Sequence, residues 1–421
     1  MREMKDSGID WIGTIPQDWQ LSKIGNLYTQ RNEKVSDKDY QPLSVTMQGI
    51  LPQLATAAKT DDGDNRKLVR VGDFAINSRS DRRGSCGISP LDGSVSLINI
   101  ILTPRTAMHP GYYNWLFNTT LFADEFYKWG HGIVADLWTT RWQEMKSITV
   151  PVPEYAEQER IAAFLDAECA VIDAVLEKTR ASIEEYKKLK QAVITQAVTK
   201  GIRGDRPLKD SGIEWIGEIP KEWDCKKVKY VTSISRGIFN HRPRNDERYY
   251  GGEYPFIQTG DVAGAQKYIE SYSQTLNELG KSVSKCFPQG TLTMTIAANV
   301  GDAAILGFDA FFPDSVVGFI PNADINDEYL YYIFKAMKPE FVRTAIKSTQ
   351  LNLNVERIRD LFVPVVAQKS EQLEIAEYLN TKCADIDALI AKKQQYLTEI
   401  ENYKKSLIYE YVTGKKEVHP L

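Results

Sequence analysis

The side chains from which most catalytic and metal sites are built are scattered in this chain. Its four histidines lack metal-ligand spacing: His109, His131, His241 and His419. The one match to a G-x-G-x-x-A phosphate motif, Gly130 to Ala135, follows a predicted aromatic helix, whereas a dinucleotide site needs a strand before it. Asp314, with Asp327 and Glu328, resembles part of a nuclease metal site, but the lysine that would complete it is missing. The sequence therefore presents no catalytic constellation.

Polar loops in both halves of the chain carry side chains that can bind nucleic acid. Arginine can form two hydrogen bonds to a guanine edge, asparagine and glutamine can do so to adenine, and serine and threonine bind phosphates. In the first half these candidates are Arg79, Arg82, Arg83 and Arg141. In the second half they are Asn240, Arg242, Arg244, Ser348, Thr349, Gln350, Asn352 and Asn354. Because similar loops occur on most proteins as solvated surface, each stretch alone is a modest indication of DNA binding.

The bulk composition limits the kind of protein. The chain has 421 residues, of which 43% are hydrophobic and 26% charged, and it has no run of about 18 apolar residues that could span a membrane. The N-terminus lacks an apolar export signal and the five cysteines lack zinc or redox spacing, so we expect a cytoplasmic protein without disulfides. The formal net charge is −4. Any nucleic-acid contact must therefore rely on local positive groups.

The elements that would position these loops are written twice. SGIDWIGTIPQDW at residues 7–19 returns as SGIEWIGEIPKEW at 211–223, with nine of thirteen positions identical. A second echo begins at Glu157-Gln158 and again, 214 residues later, at Glu371-Gln372. This self-similarity indicates a tandem duplication of the form A-B-A′-B′. We interpret the repeated tryptophans as apolar anchors between the start of each A segment, its own fold and the end of a B helix, because residues that read different ligands would differ between the copies.

The B segments predict two long helices. Apolar residues recur at steps of three and four in a sequence otherwise rich in Glu and Lys, and Gly201 and Gly414 stand at the ends. The first stripe is Ile161, Leu165, Ile172, Val175, Ile183, Tyr186, Val193 and Ala197. The second stripe is Ile375, Leu379, Ile386, Leu389, Ile400, Tyr403, Leu407 and Tyr411. Such stripes need a partner, so we predict that the two helices, each about 60 Å long, pair as an antiparallel coiled coil about a pseudo-twofold axis. Periodicity alone leaves parallel pairing open.

The A segments mix strand and helix signals. Short β-branched runs bounded by Gly, Pro and Asp, such as VRVGDFAINSR and GTLTMTIAA, predict strands. Each segment also has one predicted helix, GYYNWLFNTTLFADEFYKW in the first and EYLYYIFKAMKPEFVRTAI in the second, and closes on an extended Val-Pro-Val. The predicted fold class is therefore α+β, with two mixed domains at residues 1–154 and 204–367 separated by spacer helices at 155–203 and 368–421.

The combination of these repeats resembles the DNA specificity subunits of type I restriction-modification systems. The resemblance rests on the twin tryptophan phrases, the twin Val-Pro segments and two helix starts that read Glu-Gln-x-x-Ile-Ala-x-[FY]-Leu, and it covers essentially the whole chain. It implies that 1–154 and 204–367 are target recognition domains, each reading one half of a bipartite, asymmetric site on double-stranded DNA, with the helices setting the gap. It also implies a non-catalytic chain without its own cofactor. Two methylation subunits and, through them, restriction subunits would bind S-adenosylmethionine, ATP and Mg²⁺.

The resemblance further implies where DNA is touched. Family members commonly contact DNA through the loop before each closing segment, which adds Thr139 and Thr140 in the first domain and points to Gln350, Asn352 and Asn354 in the second. Because the arginines of the first domain have no clear counterparts in the second, we expect two unlike half-sites. The alternative function is a coiled-coil adaptor with two protein-interaction modules that binds no DNA, and a further one is an enzyme acting on carbohydrate or nucleotide.

Overall fold

The chain folds into two compact units. The computed structural model describes residues 2–53, 63–132, 138–241, 246–297, 299–347 and 351–418. Unit 1 comprises Met1–Arg180 and Gln395–Leu421, and unit 2 comprises Ala181–Gln394. Each unit therefore combines one predicted A segment with a part of both B helices.

Unit 1 is built around an antiparallel four-stranded sheet. Its strands are β1 (Met4–Asp6), β2 (Thr14–Pro16), β3 (Gln20–Lys23), β4 (Tyr28–Arg31), β5 (Lys34–Val35), β6 (Leu43–Thr46), β7 (Gly49–Pro52), β8 (Arg66–Val69), β9 (Phe74–Asn77), β10 (Cys86–Ile88), β11 (Gly93–Val95), β12 (Asn99–Pro104) and β13 (Thr149–Val152). Its short helices are α1 (Ile24–Leu27), α2 (Pro110–Phe117), α3 (Thr120–Lys128) and α4 (Trp142–Met145). The main sheet has the order β10-β9-β12-β4, and smaller sheets are β11-β8-β5, β6-β7, β1-β2 and β13-β3.

The aromatic segment of unit 1 was predicted as one helix and is two. Helix α2 ends at Phe117, and the hydroxyl of Thr119 accepts a hydrogen bond from the backbone N–H of Phe122 at 3.2 Å, which caps the start of α3. A threonine in this position offers the backbone an alternative to a continuous helix. The break lets both helices pack aromatic faces into one core, with Tyr112 and Phe122 fully buried.

Unit 2 repeats this plan and adds a subdomain. Its strands are β14 (Leu208–Asp210), β15 (Glu218–Pro220), β16 (Asp224–Lys227), β17 (Thr232–Arg236), β18 (Tyr250–Phe256), β19 (Tyr268–Ile269), β20 (Gln274–Leu276), β21 (Cys286–Phe287), β22 (Leu292–Thr295), β23 (Ala303–Leu306), β24 (Ala310–Phe311), β25 (Val316–Pro321), β26 (Ile346–Lys347), β27 (Leu351–Asn352) and β28 (Phe362–Val365). Its short helices are α6 (Val228–Val231), α7 (Thr259–Gly264), α8 (Glu278–Ser282), α9 (Asp327–Thr344) and α10 (Val355–Asp360).

The main sheet of unit 2 has the order β17-β25-β22-β23-β19. A second sheet, β20-β18-β24-β21, belongs to the added subdomain and has its own small core of Phe239, Phe256, Leu276 and Phe311. The strand pairs β14-β15, β16-β28 and β26-β27 complete the unit. With β-rich domains and long helices, the predicted α+β class is confirmed.

The long helices α5 (Tyr155–Lys200) and α11 (Lys369–Val412) run antiparallel and contact each other, as predicted. In unit 1, Lys404 Nζ lies 2.6 Å from a carboxylate oxygen of Asp173. In unit 2, Lys190 Nζ lies 2.6 Å from Asp387. Asp173 and Asp387 are 214 positions apart, and so are Lys190 and Lys404. The two ion pairs are therefore copies of one contact. None of the helices in the described part of the chain combines the length and apolar character that crossing a membrane requires.

Two predicted stripe residues, Leu389 and Tyr403, are on the surface, with exposed fractions of 42% and 55%. In a coiled coil the buried positions alternate steps of four and three. Counted from the buried Ile386, that alternation reaches Ile390 and Lys404, one residue after each of the two exposed side chains. The prediction was wrong for Leu389 and Tyr403 because it took a step of three where the heptad takes four.

The repeated tryptophan phrase makes the contacts predicted for its second tryptophan. Trp19 and Trp223 are each 1% exposed. Within unit 2, a Cβ added to Gly201 would lie 3.3 Å from the Trp223 ring; within unit 1, a Cβ added to Gly414 would lie 3.0 Å from the Trp19 ring. Both glycines have positive φ, +76° and +71°, and follow the last turn of α5 and α11. The indole rings therefore close directly over the helix ends.

Candidate DNA interface

Two segments of unit 1 meet beside the end of β9. The backbone N–H of Thr140 donates to the carbonyl of Ser78 at 3.0 Å, and Arg79 forms an antiparallel bridge with Thr139. Side chains alternate along extended backbone, so Arg79, Thr139 and Arg141 lie on one side of this frame and Thr140 on the other. We call this arrangement the unit 1 reading frame: residues 78–79 hydrogen-bonded to 139–141.

The reading frame borders a groove of about 450 Å³. The groove is lined by Gln30, Asn32, Lys67, Ser78, Arg79, Leu97, Ile98, Ile100, Thr139, Thr140, Arg141 and Trp142. Of the candidates predicted from the sequence, the groove brings together Arg79, Thr139, Thr140 and Arg141. It leaves out Arg82 and Arg83, which lie farther along the β9–β10 loop.

The four candidate arginines of unit 1 differ in their electrostatic surroundings. Arg82 lies 3.7 Å from a carboxylate oxygen of Asp81, and Arg83 forms an ion pair with Asp124. Arg79 and Arg141 are exposed, and in the described parts of the chain no carboxylate lies within ion-pairing distance of either guanidinium. The groove therefore holds the two arginines whose charge is not already compensated.

Thr140 is a correction to the predicted site. Its side chain is 0% exposed and its hydroxyl donates to the backbone carbonyl of Phe126 at 2.8 Å. A buried hydroxyl with this partner cannot contact DNA, so the prediction is wrong for Thr140. The residue instead holds the frame against α3, which lets its neighbours Thr139 and Arg141 face outward.

Sequence reasoning missed several groove residues. Gln30 and Asn32 extend from the end of β4, and Lys67 comes from β8. Lys67 donates from Nζ to the carbonyl of Asn99 at 2.7 Å, and burial lowers the pKa of its ammonium group. The Leu97–Ile98 turn before β12 adds an apolar wall. No local motif marks these residues, since only the sheet order brings their three chain segments to one edge.

Unit 2 contains the same backbone frame with different side chains. The N–H of Leu353 donates to the carbonyl of Ile296 at 2.9 Å, as Thr140 does to Ser78, and Leu353 is likewise buried at 1% exposure. By this register Ala297 takes the place of Arg79 and Asn354 that of Arg141. Asn352, described in its backbone only, takes the place of Thr139.

The candidates of unit 2 are only partly described. Asn354 is exposed, and its Oδ1 accepts a hydrogen bond from the N–H of Glu356 at 2.9 Å, so it caps helix α10. Asn240 is exposed and its N–H donates to the carbonyl of Val283 at 3.1 Å. No contact joins Asn240 to Asn354 in the part of unit 2 that the structure describes. The remaining candidates lie outside the described residues: Arg242, Arg244, Ser348, Thr349 and Gln350.

Comparisons with known proteins agree with this architecture. Residues 220–401 match the family described as the type I restriction modification DNA specificity domain. The chain is 30% identical over 187 residues to the type I restriction enzyme MjaIX specificity subunit of Methanocaldococcus jannaschii, a match that covers 43% of this chain and 41% of that relative. It is 21% identical over 436 residues to the putative MjaX specificity subunit of the same organism, covering 97% and 96% of the two chains.

A solved structure has the same fold over almost the whole chain. It comes from a study of complex assembly and conformational transition of the type I restriction-modification system, and it aligns with a TM-score of 0.75 at 14% identity, covering 96% of this chain and 99% of the other. At this identity the likeness concerns the fold, and the sequence matches carry the family. The duplicated frame and the antiparallel helices agree with these sequence matches, which make the chain similar over almost its whole length to the specificity subunits of type I restriction-modification systems.

Proposed function

We propose that each unit reads one half of a bipartite, asymmetric site on double-stranded DNA, and that α5 and α11 set the gap between the halves. The recognition domains in this proposal are the predicted segments 1–154 and 204–367. Two methylation subunits would dock on the helices, and restriction subunits would join through them. S-adenosylmethionine, ATP and Mg²⁺ would be bound by those subunits.

The unlike side chains on an equivalent frame carry this proposal. Both units bury the middle residue of the frame, Thr140 or Leu353, and expose the residue after it, Arg141 or Asn354. A fold that keeps its inward positions and changes its outward ones is what two readers of different sequences require. Since identical readers would favour a palindrome, the replacement of Arg79 by Ala297 and of Arg141 by Asn354 favours an asymmetric site.

The helices supply a reason for a fixed gap. Two linked readers bind with high effective concentration only when the spacing of their targets matches the linker. Charged residues at or beside a coiled-coil seam oppose sliding of one helix along the other, and the ion pairs Lys190–Asp387 and Lys404–Asp173 fix one register within each unit.

Selection from a randomised duplex pool tests the function. The chain, assembled with its methylation subunits, should enrich a motif of two unlike blocks separated by unspecified positions of constant number. A protein-binding adaptor would enrich no sequence, and an enzyme acting on carbohydrate or nucleotide would show turnover by the isolated chain. Either result would contradict the proposal.

Helix insertion tests the spacer. Duplicating one heptad in each helix, at the Arg180–Ala181 and Gln394–Gln395 junctions between the units, preserves the seam and lengthens both helices by about 10 Å. At about 3.4 Å per base pair, the selected gap should grow by about three base pairs. The matched control inserts the heptad in α5 alone, which breaks the pairing and should reduce selection of any gap. An unchanged gap with both insertions would mean that the helices do not set the spacing.

A further inference from the structure

We propose that unit 1 reads a guanine in its half-site through Arg79 and Arg141, and that it places the methyl group of a neighbouring thymine against Leu97 and Ile98. This inference rests on the proposed function, because it specifies which bases the unit 1 groove recognises. It goes beyond DNA binding in general, since it assigns the base contacts to two of the four candidate arginines and gives an apolar wall a role in readout.

The two arginines start from fixed backbone positions. The N–H of Arg79 donates to Oδ1 of Asn77 at 3.0 Å, and the N–H of Arg141 donates to a carboxylate oxygen of Glu144 at 2.9 Å. Both residues have extended backbone angles, with φ of −90° and −97°. Side chains that project from a held backbone lose less conformational freedom on binding than side chains on a mobile loop. The frame therefore presents Arg79 and Arg141 as prepared contacts.

Their chemistry matches the edge of guanine. An arginine fork donates two hydrogen bonds to O6 and N7 of guanine in the major groove, which makes it a frequent specific base contact. Arg82 and Arg83 would first have to leave Asp81 and Asp124, whereas no described carboxylate competes for Arg79 or Arg141. The uncompensated pair in the groove is thus better suited to base readout than the pair farther along the loop.

The apolar wall lies directly beside these arginines. Leu97 and Ile98 are half-buried and line the same groove, and the carbonyl of Ile98 accepts a hydrogen bond from the N–H of Ser78, the residue before Arg79, at 3.3 Å. Thymine exposes a methyl group in the major groove, and apolar side chains recognise it by contact. A guanine with a thymine next to it is the combination that this surface fits.

Unit 2 lacks this reader at the equivalent positions. Ala297 has no hydrogen-bonding side chain, and the Oδ1 of Asn354 already accepts a hydrogen bond from Glu356. Asn354 has no guanidinium group, so it lacks the fork that donates to O6 and N7 of guanine. The inferred guanine therefore belongs to one block of the motif only.

The test uses the full chain assembled with its methylation subunits. The selection is repeated with the variants Arg79→Lys and Arg141→Lys, because lysine keeps the positive charge and lacks the guanidinium fork. The block of the motif whose base preferences change in these variants is the block that unit 1 reads. Duplexes are then made with 7-deazaguanine, which lacks the N7 acceptor, in place of guanine in that block, and with uracil, which lacks the methyl group, in place of the adjacent thymine.

The wild-type complex should bind the 7-deazaguanine duplex about tenfold more weakly and the uracil duplex about fourfold more weakly than the unmodified duplex. The lysine variants should bind the 7-deazaguanine duplex as well as the unmodified duplex, and they should still bind the uracil duplex more weakly. Arg82→Lys, on the same loop but paired to Asp81, is the matched control and should behave as wild type.

The failures of the two proposals can be told apart. If the wild-type complex selects a two-block motif and neither lysine variant changes a guanine in it, the assignment to Arg79 and Arg141 is wrong and the proposed function stands. Equal weakening on every sequence, with a reduced salt dependence, would mean that these arginines bind phosphates, and it would also overturn the assignment. If no motif is selected at all, the proposed function itself fails.

Discussion

Units 1 and 2 have the same interior supports and different outward surfaces. In unit 1, Gln158 accepts a hydrogen bond from the N–H of His109 at 2.9 Å; in unit 2, Gln372 accepts one from the N–H of Asn326 at 2.8 Å. Each glutamine thereby joins the start of a long helix to the start of the aromatic helix of its unit. The duplication preserved the contacts that assemble a unit and let the residues that face outward diverge.

The second tryptophan of the repeated phrase has a hydrogen-bond partner in unit 1 but none in the described part of unit 2. In unit 1 the indole Nε1 of Trp19 donates to Glu157 at 2.8 Å. In unit 2 the buried Nε1 of Trp223 has no hydrogen-bond partner among the described residues. The same tryptophan therefore serves as both an apolar and a polar contact in unit 1, and as an apolar contact in unit 2.

The largest expected effect comes from removing these tryptophans. Truncating a fully buried tryptophan costs about 3–5 kcal/mol, so Trp19→Ala should loosen unit 1 and Trp223→Ala unit 2. Hydrogen exchange resolved by peptide would show faster exchange confined to the unit that carries the change.

The phenylalanine variants isolate the indole N–H. Trp19→Phe should lower the free energy of unfolding by about 1 kcal/mol more than Trp223→Phe does. Equal costs would mean that the Glu157 contact adds nothing to unit 1.

Transplanting the two arginines into unit 2 tests whether its frame can support the same base contact. Ala297→Arg combined with Asn354→Arg places both guanidinium groups on the equivalent frame, and it should create a guanine preference of about tenfold in the second block. Binding to duplexes that differ at one position of that block would measure it. A variant with Ser at 297 and 354 is the uncharged control. If the double-arginine variant shows no new preference, then the frame alone does not orient the arginines, and the groove wall of unit 1 is needed too.

The frame residues should differ in their effect on local helix stability. Asn354→Ala removes the side-chain oxygen that caps α10 and should destabilise that part of unit 2 by about 1 kcal/mol. Arg141→Ala should leave α4 unchanged, because the bond there runs from the backbone N–H of Arg141 to Glu144. Denaturant titration of both variants, with Asn354→Asp as the control that retains a capping oxygen, measures the difference. Equal destabilisation by the two alanines would contradict this account.

The smallest expected effect concerns cysteine ionisation. Burial raises the pKa of Cys86 in unit 1 to about 12; partial burial also raises the pKa of Cys286 in unit 2, but that residue is exposed to solvent. Because the thiolate is the reactive form, iodoacetamide at pH 8 should label Cys286 and leave Cys86 unlabelled until unit 1 unfolds. The raised pKa contributes stability that is complete below the ordinary thiol value of 9.0 and is lost as the pH rises from there toward 12. Labelling of native Cys86 as fast as Cys286, measured by mass spectrometry, would argue against the burial.

The structure supports the repeated parts of the sequence reasoning more than the unrepeated parts. The tryptophan phrase and the helix stripes appear twice, so each copy checks the interpretation of the other, and their burial follows from apolar character and period. The single-copy loops had no such check. Arg82 and Arg83 stood out in the sequence because they are adjacent arginines, yet their ion pairs with Asp81 and Asp124 depend on the turn and on α3, which residue types alone do not reveal.

The duplication, the pairing of the long helices and most of their buried positions could be predicted from the sequence, because hydrophobic periodicity is a local property that a single chain displays. The tertiary structure sets which polar residues share a groove, since β4, β8, the turn before β12 and the segment before α4 are distant in the chain and meet through sheet pairing. It also decided that Thr140 faces inward while Thr139 and Arg141 face outward. A hydrogen bond from Thr140 to Ser78, 62 residues away, fixes that alternation, and no spacing in the sequence encodes it.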